Sequence, residues 1–113
     1  MSSPPAATVS THVLDTSAGR PAAGVPVRLA VRTGRDGEWQ PHAESSTDGD
    51  GRCRDLPALP EGAAWARLHF DTGSYSDVGF FPEVSTVFAV APGEHHHVPL
   101  LLSPFGYSVY RGS

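Results

Sequence analysis

An all-β sandwich is the fold class this sequence predicts, on three observations. Apolar residues recur with period two rather than with the period of a helix. The runs that carry this alternation are short and regularly spaced. Between them, 12 glycines and 11 prolines act as punctuation along the whole chain, which is the pattern of turns joining strands of a two-layered sheet structure.

The elements follow in order. Thr8–Asp15 (TVSTHVLD) alternates, with Val9, Thr11 and Val13 on one face and Ser10, His12 and Leu14 on the other. After the turn signal SAGRPAAG, Val25–Val31 (VPVRLAV) reads as a second strand. Glu38–Ser45, Ala64–Asp71, Glu83–Val90, His95–Leu102 and Tyr107–Arg111 complete the set. Thr72–Val78 (TGSYSDV) lacks alternation and predicts a short helix between two strands. Residues 1–7, rich in Ser, Pro and Ala, read as a disordered leader, and residues 8–113 as one domain.

Composition narrows the function. Hydrophobic residues make up 39% and charged residues 18%, a globular balance that supports one core in 113 residues. With a net charge of −4 and no basic stripe, nucleic acid and anionic membrane are poor partners. Cys53 is the only cysteine, so there is no internal disulfide framework and a reducing compartment is expected. The first residues carry no basic or apolar signal region, and the apolar runs fall far short of a membrane span. The cytoplasm is the expected location.

Period two also sorts the histidines. In His95–Ser103, His96, Val98, Leu100 and Leu102 share the face suited to the core. His95, His97, Pro99, Leu101 and Ser103 share the other, so His97 points outward, as does His12. Near the end, Ser108 and Tyr110 share one face and Tyr107, Val109 and Arg111 the opposite one. An outer face with His12, His97, Leu14, Leu101 and Tyr110 is too apolar and aromatic for bare solvent, and predicts a ligand or subunit surface.

Several chemistries can be weighed on these residues. Asp48–Arg52 (DGDGR) suggests a calcium loop, but Arg52, Cys53 and Leu59 stand where a ligand, the turn glycine and the closing Glu are needed. A hairpin turn is the better reading, and it leaves Arg52 at the mouth of a strand. His12, His95 and His97 could together hold zinc, yet no carboxylate or thiolate is obviously placed to support them. No serine lies in a nucleophile elbow, and Cys53 has no adjacent His. Trp39, Trp65, Tyr75 and Tyr107 read as core or interface aromatics. The last seven residues hold two tyrosines and a Val, so the tail is expected to be tied into a sheet rather than frayed, and a Ser113 carboxylate beside Tyr110 and Arg111, close to the histidines, suggests a site.

Three separated stretches, STHVLDTSAGRPAAGVPVRL, DGRC and HVPLLLSPFGYSVYRGS, together with FDTGSYSDVGFFPEV, resemble the 5-hydroxyisourate hydrolase family, the transthyretin-like enzymes of purine degradation. The likeness runs from about Thr8 to the end. Two departures are visible: Val109 stands where Thr is usual, and His96 where Tyr is common. Transthyretin itself shares the scaffold as a hormone carrier but lacks the His, Arg, His and Tyr-Arg-Gly-Ser set.

The resemblance implies a transthyretin-like sandwich of eight strands and one short helix, assembled as a homotetramer with sites at the dimer–dimer interface. It implies hydrolysis of 5-hydroxyisourate to 2-oxo-4-hydroxy-4-carboxy-5-ureidoimidazoline, with no metal and no organic cofactor. The catalytic residues would be His12, Arg52, His97 and Ser113, with His12 or His97 as base. His12, Arg52, Tyr110 and Arg111 would bind the substrate.

Overall fold

The computed structural model describes residues 5–113. Its axis is β1 (Thr8–Asp15), the strand in which alternation is cleanest: Val9, Thr11 and Val13 are buried while the residues between them are half-exposed. Around it stand β2 (Arg20–Pro21), β3 (Pro26–Arg32), β4 (Gln40–Ser46), β5 (Arg52–Cys53), β6 (Trp65–Phe70), α1 (Thr72–Tyr75), β7 (Val84–Ala89), β8 (His95–Ser103) and β9 (Gly106–Val109). The expected eight-stranded sandwich with one short helix is present, and the two-residue β2 adds a ninth strand.

Two sheets face each other. One runs β2-β1-β8-β9, with β5 also paired to β1; the other runs β4-β3-β6-β7. The second sheet is antiparallel throughout, whereas β1 and β8 pair in parallel from Thr8–His95 to Asp15–Leu102. That parallel pair joins residues 87 positions apart, so it forms only when the intervening chain has crossed through the other sheet.

The core lies between the sheets. Val9, Val13, Cys53, Val98 and Leu100 meet Val27, Leu29, Ala66, Leu68, Phe70 and Val84. Polar groups on the inner face are satisfied locally, as burial demands. Thr11 donates its hydroxyl to the Val98 carbonyl at 2.6 Å. Buried His96 donates from Nδ1 to the Thr8 carbonyl at 3.0 Å and accepts at Nε2 from the Ala91 amide at 3.3 Å. Both departures from the family pattern therefore point inward, since Val109 packs against the core as well.

Of the leader expected over residues 1–7, residues 1–4 lie outside the described ones. Ala7 is buried, and its carbonyl accepts from the Leu59 amide at 2.9 Å, so packing starts one residue before β1. The helix is a single turn: Asp71 caps it by accepting from the Ser74 amide and hydroxyl. Trp39 and Trp65 are not simple core residues. The Arg32 guanidinium lies 4.4 Å and 5.2 Å from their ring centres, a cation–π arrangement on the second sheet.

Candidate active site

The pairing of β1 with its neighbours gathers the candidate residues. In β1, Thr8, Ser10, His12 and Leu14 face away from the core. Parallel pairing sets Ser10 opposite His97 and Leu14 opposite Leu101, and antiparallel pairing with β5 sets His12 opposite Arg52. Partners that stand opposite each other share a face. His12, Arg52 and His97 therefore lie together on the open face of the five-stranded sheet, each half-exposed.

Arg52 is placed by the tight turn before it. Asp48 accepts at Oδ1 from the Asp50 and Arg52 amides at 2.9 Å and 3.0 Å. These amide bonds, the Arg52 one foremost, hold the Asp48 carboxyl below its ordinary range. Gly51 has φ +77°, and a Cβ there would sit 2.5 Å from the Val13 carbonyl oxygen. Only glycine lets the turn close onto β1 in this way. The same turn orients His12: its Nε2 donates to the Asp50 carbonyl at 2.9 Å, which leaves Nδ1 as the unprotonated nitrogen of the neutral ring.

His97 is held from the side. Its Nδ1 is 2.8 Å from the Ser10 hydroxyl, which is also 2.8 Å from Nε2 of His95; His95 Nδ1 in turn lies 2.7 Å from the Thr8 hydroxyl. Among the described residues Nε2 of His97 has no hydrogen-bond partner. Burial, then the Arg52 charge and the His12 and His95 rings, hold the His97 pKa below the ordinary histidine value. A neutral imidazole with an open nitrogen can take a proton from water at neutral pH.

The tail is brought in only in part. Gly112 donates its amide to the His97 carbonyl at 2.7 Å and bridges to it as a strand partner. Tyr110, 51% exposed, lines instead a cleft of about 240 Å³ with Phe88, His96, Val98 and Val109. Arg111 is paired with Glu94 at 3.3 Å, both side chains exposed. Ser113 is exposed. Within one chain, then, His12, Arg52 and His97 share one sheet face, whereas Tyr110, Arg111 and Ser113 form no hydrogen bond or ion pair with them.

No three His, Cys, Asp or Glu side chains among the described residues are placed to hold a metal ion. His95 and His97 turn toward one shared serine hydroxyl instead. Ser10 and Thr8 are the residues that sequence reasoning left out. Period two puts both on the His12 face, but nothing local announces that β8 pairs there in parallel.

Two kinds of comparison place the chain among known proteins. Residues 9–112 match the model of the HIUase/Transthyretin family. The chain is 46% identical to the uric acid degradation bifunctional protein TTL of Arabidopsis thaliana over 93% of its own length, and spans only 37% of that longer protein. It is 43% identical to the 5-hydroxyisourate hydrolase of Caulobacter vibrioides, covering 93% of this chain and 97% of the relative. Its fold matches the structure of Klebsiella pneumoniae 5-hydroxyisourate hydrolase with a TM-score of 0.76 at 37% identity, over 94% of this chain and 99% of that one.

Proposed function

This chain belongs to the HIUase/Transthyretin family, and from that premise we propose that it hydrolyses 5-hydroxyisourate to 2-oxo-4-hydroxy-4-carboxy-5-ureidoimidazoline in urate degradation. The family description covers both an enzyme and a carrier, so the shared backbone does not separate them. The side chains do. The convergence of His12, Arg52 and His97 on one sheet face carries the reading, because a carrier of an apolar ligand needs no such set.

The chemistry asks for an activated water, a donor for the developing oxyanion and a slot that fixes the planar ring. His97 takes the proton from water at Nε2. Arg52 presents its fork of N–H donors to the substrate oxygens and stabilises the charge that builds on the attacked carbonyl. His12, its Nε2–H committed to Asp50, offers Nδ1 as an acceptor for a substrate N–H. The protein's own side chains suffice for these steps.

Tyr110, Arg111 and Ser113 are assigned to closing the pocket from a neighbouring subunit of a homotetramer. Two observations support that assembly. The catalytic face is open in the single chain, and Val78, Phe80, Phe105 and Tyr107 expose large apolar side chains around the β8–β9 turn, where Phe80 donates its amide to the Pro104 carbonyl. The cytoplasm is the proposed location, in keeping with Cys53 as a free, buried thiol.

The test is enzymatic. Urate oxidase and urate generate the intermediate, and its absorbance decay is followed with and without the protein. Faster decay is expected, together with a loss of at least about 10²-fold in kcat/KM for His12→Ala, Arg52→Ala and His97→Ala. Unchanged decay would identify a carrier, and near-normal rates in all three variants would overturn the residue assignment.

A further inference from the structure

Thr8, Ser10 and His95 have no part in the assignment above, yet with His97 they form one continuous line of hydrogen bonds on the same sheet face. Its links are 2.7 Å from Thr8 to His95, 2.8 Å from His95 to Ser10 and 2.8 Å from Ser10 to His97. The register builds it. Thr8 stands opposite His95 and Ser10 opposite His97, so hydroxyls at every second position of β1 fall between imidazoles at every second position of β8.

We propose that Ser10 and His95 are positioning residues of the proposed reaction, forming a proton relay that links His97 to solvent and keeps its ring neutral between attack and C–N cleavage. The inference rests on His97 being the base. In the resting polarity His95 donates from Nδ1 to Thr8 and accepts at Nε2 from the Ser10 hydroxyl. Ser10 accepts from His97 Nδ1–H, which leaves the lone pair of His97 Nε2 facing the open site. Each N–H and O–H within the three links meets an acceptor, and the Thr8 hydroxyl is left to donate to solvent.

When Nε2 of His97 takes a proton from water, its Nδ1 proton passes to the Ser10 oxygen and the Ser10 proton to His95 Nε2. The proton on His95 Nδ1 then leaves by way of Thr8 to solvent. One proton enters, one leaves, and His97 ends neutral with its Nε2 protonated. When the C–N bond breaks, the departing nitrogen takes the Nε2 proton, Ser10 returns a proton to His97 Nδ1, His95 Nε2 refills Ser10, and a solvent proton re-enters His95 Nδ1 by way of Thr8, which resets the line.

The reaction calls for such a relay. Water loses a proton at attack, and the departing ureide nitrogen needs one when the C–N bond breaks; the carboxylic acid formed ionises to water on its own. The proton taken from water must therefore be stored between attack and C–N cleavage. His97 itself is a poor place to hold it: the ring is half-buried, with Arg52 and His12 bearing on it from β5 and β1. His95 is exposed, and its neighbour Glu94 is paired with Arg111, so the outer end of the line opens to water.

Steady-state hydrolysis by the full chain tests this with Ser10→Ala, His95→Ala, His95→Gln and His97→Ala, with melting temperatures recorded alongside. The relay predicts that Ser10→Ala and His95→Ala lower kcat by at least about tenfold at nearly unchanged KM. Added imidazole should raise kcat of His95→Ala and leave the wild type as it was. His95→Gln keeps a hydrogen-bonding group on Ser10 but has no titrating nitrogen, so it should be as slow as His95→Ala, and it carries the test alone if His95→Ala does not fold. Wild-type kcat in His95→Gln, or a slow His95→Ala that ignores imidazole, overturns the relay while leaving the hydrolase reading intact. A wild-type protein that leaves the intermediate's decay unchanged overturns the hydrolase reading itself.

Discussion

Gly112 lies close against the ring of His97: a Cβ added to it would stand 2.7 Å from the imidazole Cδ2 and 3.1 Å from Pro99 Cγ. The glycine is needed here for close approach. Its amide is bonded to the His97 carbonyl at 2.7 Å, so the backbone cannot back away to make room. Gly112→Ala should push the His97 ring out of line with Ser10 and lower kcat by about 10²-fold, the order expected of a misplacement near 1 Å. The melting temperature should barely move, because the site is at a strand end. Gly106→Ala, whose Cβ would find only Ser103 Oγ at 3.7 Å, is the control that should keep full activity.

Arg52 and His97 are coupled through charge. Burial is the foremost cause of the lowered His97 pKa and the Arg52 guanidinium the next. Removing the guanidinium relieves part of that depression, so the acid limb of the kcat/KM profile should move to higher pH in Arg52→Gln. The rate at the plateau should fall as well, as the substrate-holding role proposed for Arg52 requires. A profile measured from pH 4 to 9 checks both, and an acid limb that stays in place or moves down would show that some other group titrates.

The turn that carries Arg52 offers a paired test of backbone strain. Gly51 is left-handed at φ +77° with the Val13 carbonyl 2.5 Å from a would-be Cβ, while Gly49 has nothing within 4 Å. Gly51→Ala should cost at least about 2 kcal/mol of stability, from the left-handed conformation and from the backbone contact together. It should also shift Arg52 off His12 and reduce activity. Gly49→Ala, three residues before Arg52, should change neither the melting temperature nor kcat/KM. Equal behaviour of the two variants would show that Gly51 does not set the turn.

Alternation made the strand faces legible: which side of β1 and β8 was core, and that His12 and His97 faced out, followed from spacing two apart. Ends of strands also came within a residue or two, since Pro and Gly mark them. What spacing could not supply was pairing. That Ser10 meets His97, and that Arg52 meets His12, depends on a parallel ladder between residues 87 apart and on a two-residue strand reached through a turn. Such contacts are set by the whole sandwich, not by neighbouring residues. Tyr110 illustrates the same limit from the other side. Its place in the order of faces suggested the His97 wall, but beyond Val109 the ladder lapses until Gly112, and the ring lies beside Phe88 and His96.

Asp15 and Tyr75 tie the end of β1 to the single helical turn. The Tyr75 hydroxyl donates to Asp15 Oδ2 at 2.7 Å, and Oδ1 accepts from the Ser17 amide and hydroxyl and from the Ala18 amide. The Tyr75 bond is the foremost cause that holds the Asp15 pKa below its ordinary value, and the same bond raises that of Tyr75. A lowered carboxyl pKa stabilises the fold fully above the unfolded value, near 3.9, and the gain is lost as pH falls through the folded value. A raised phenol pKa stabilises it below about 10, and that gain is lost as pH rises through the folded value. Tyr75→Phe should thus cost about 1 kcal/mol between roughly pH 4 and 10, about 4 °C in melting temperature at fixed protein concentration. The deficit should close when both proteins are melted near pH 2, where Asp15 is protonated in the unfolded chain and increasingly in the folded one. A deficit that is the same at pH 2 and pH 7 would mean that Tyr75 stabilises the helix through packing of its ring and not through Asp15.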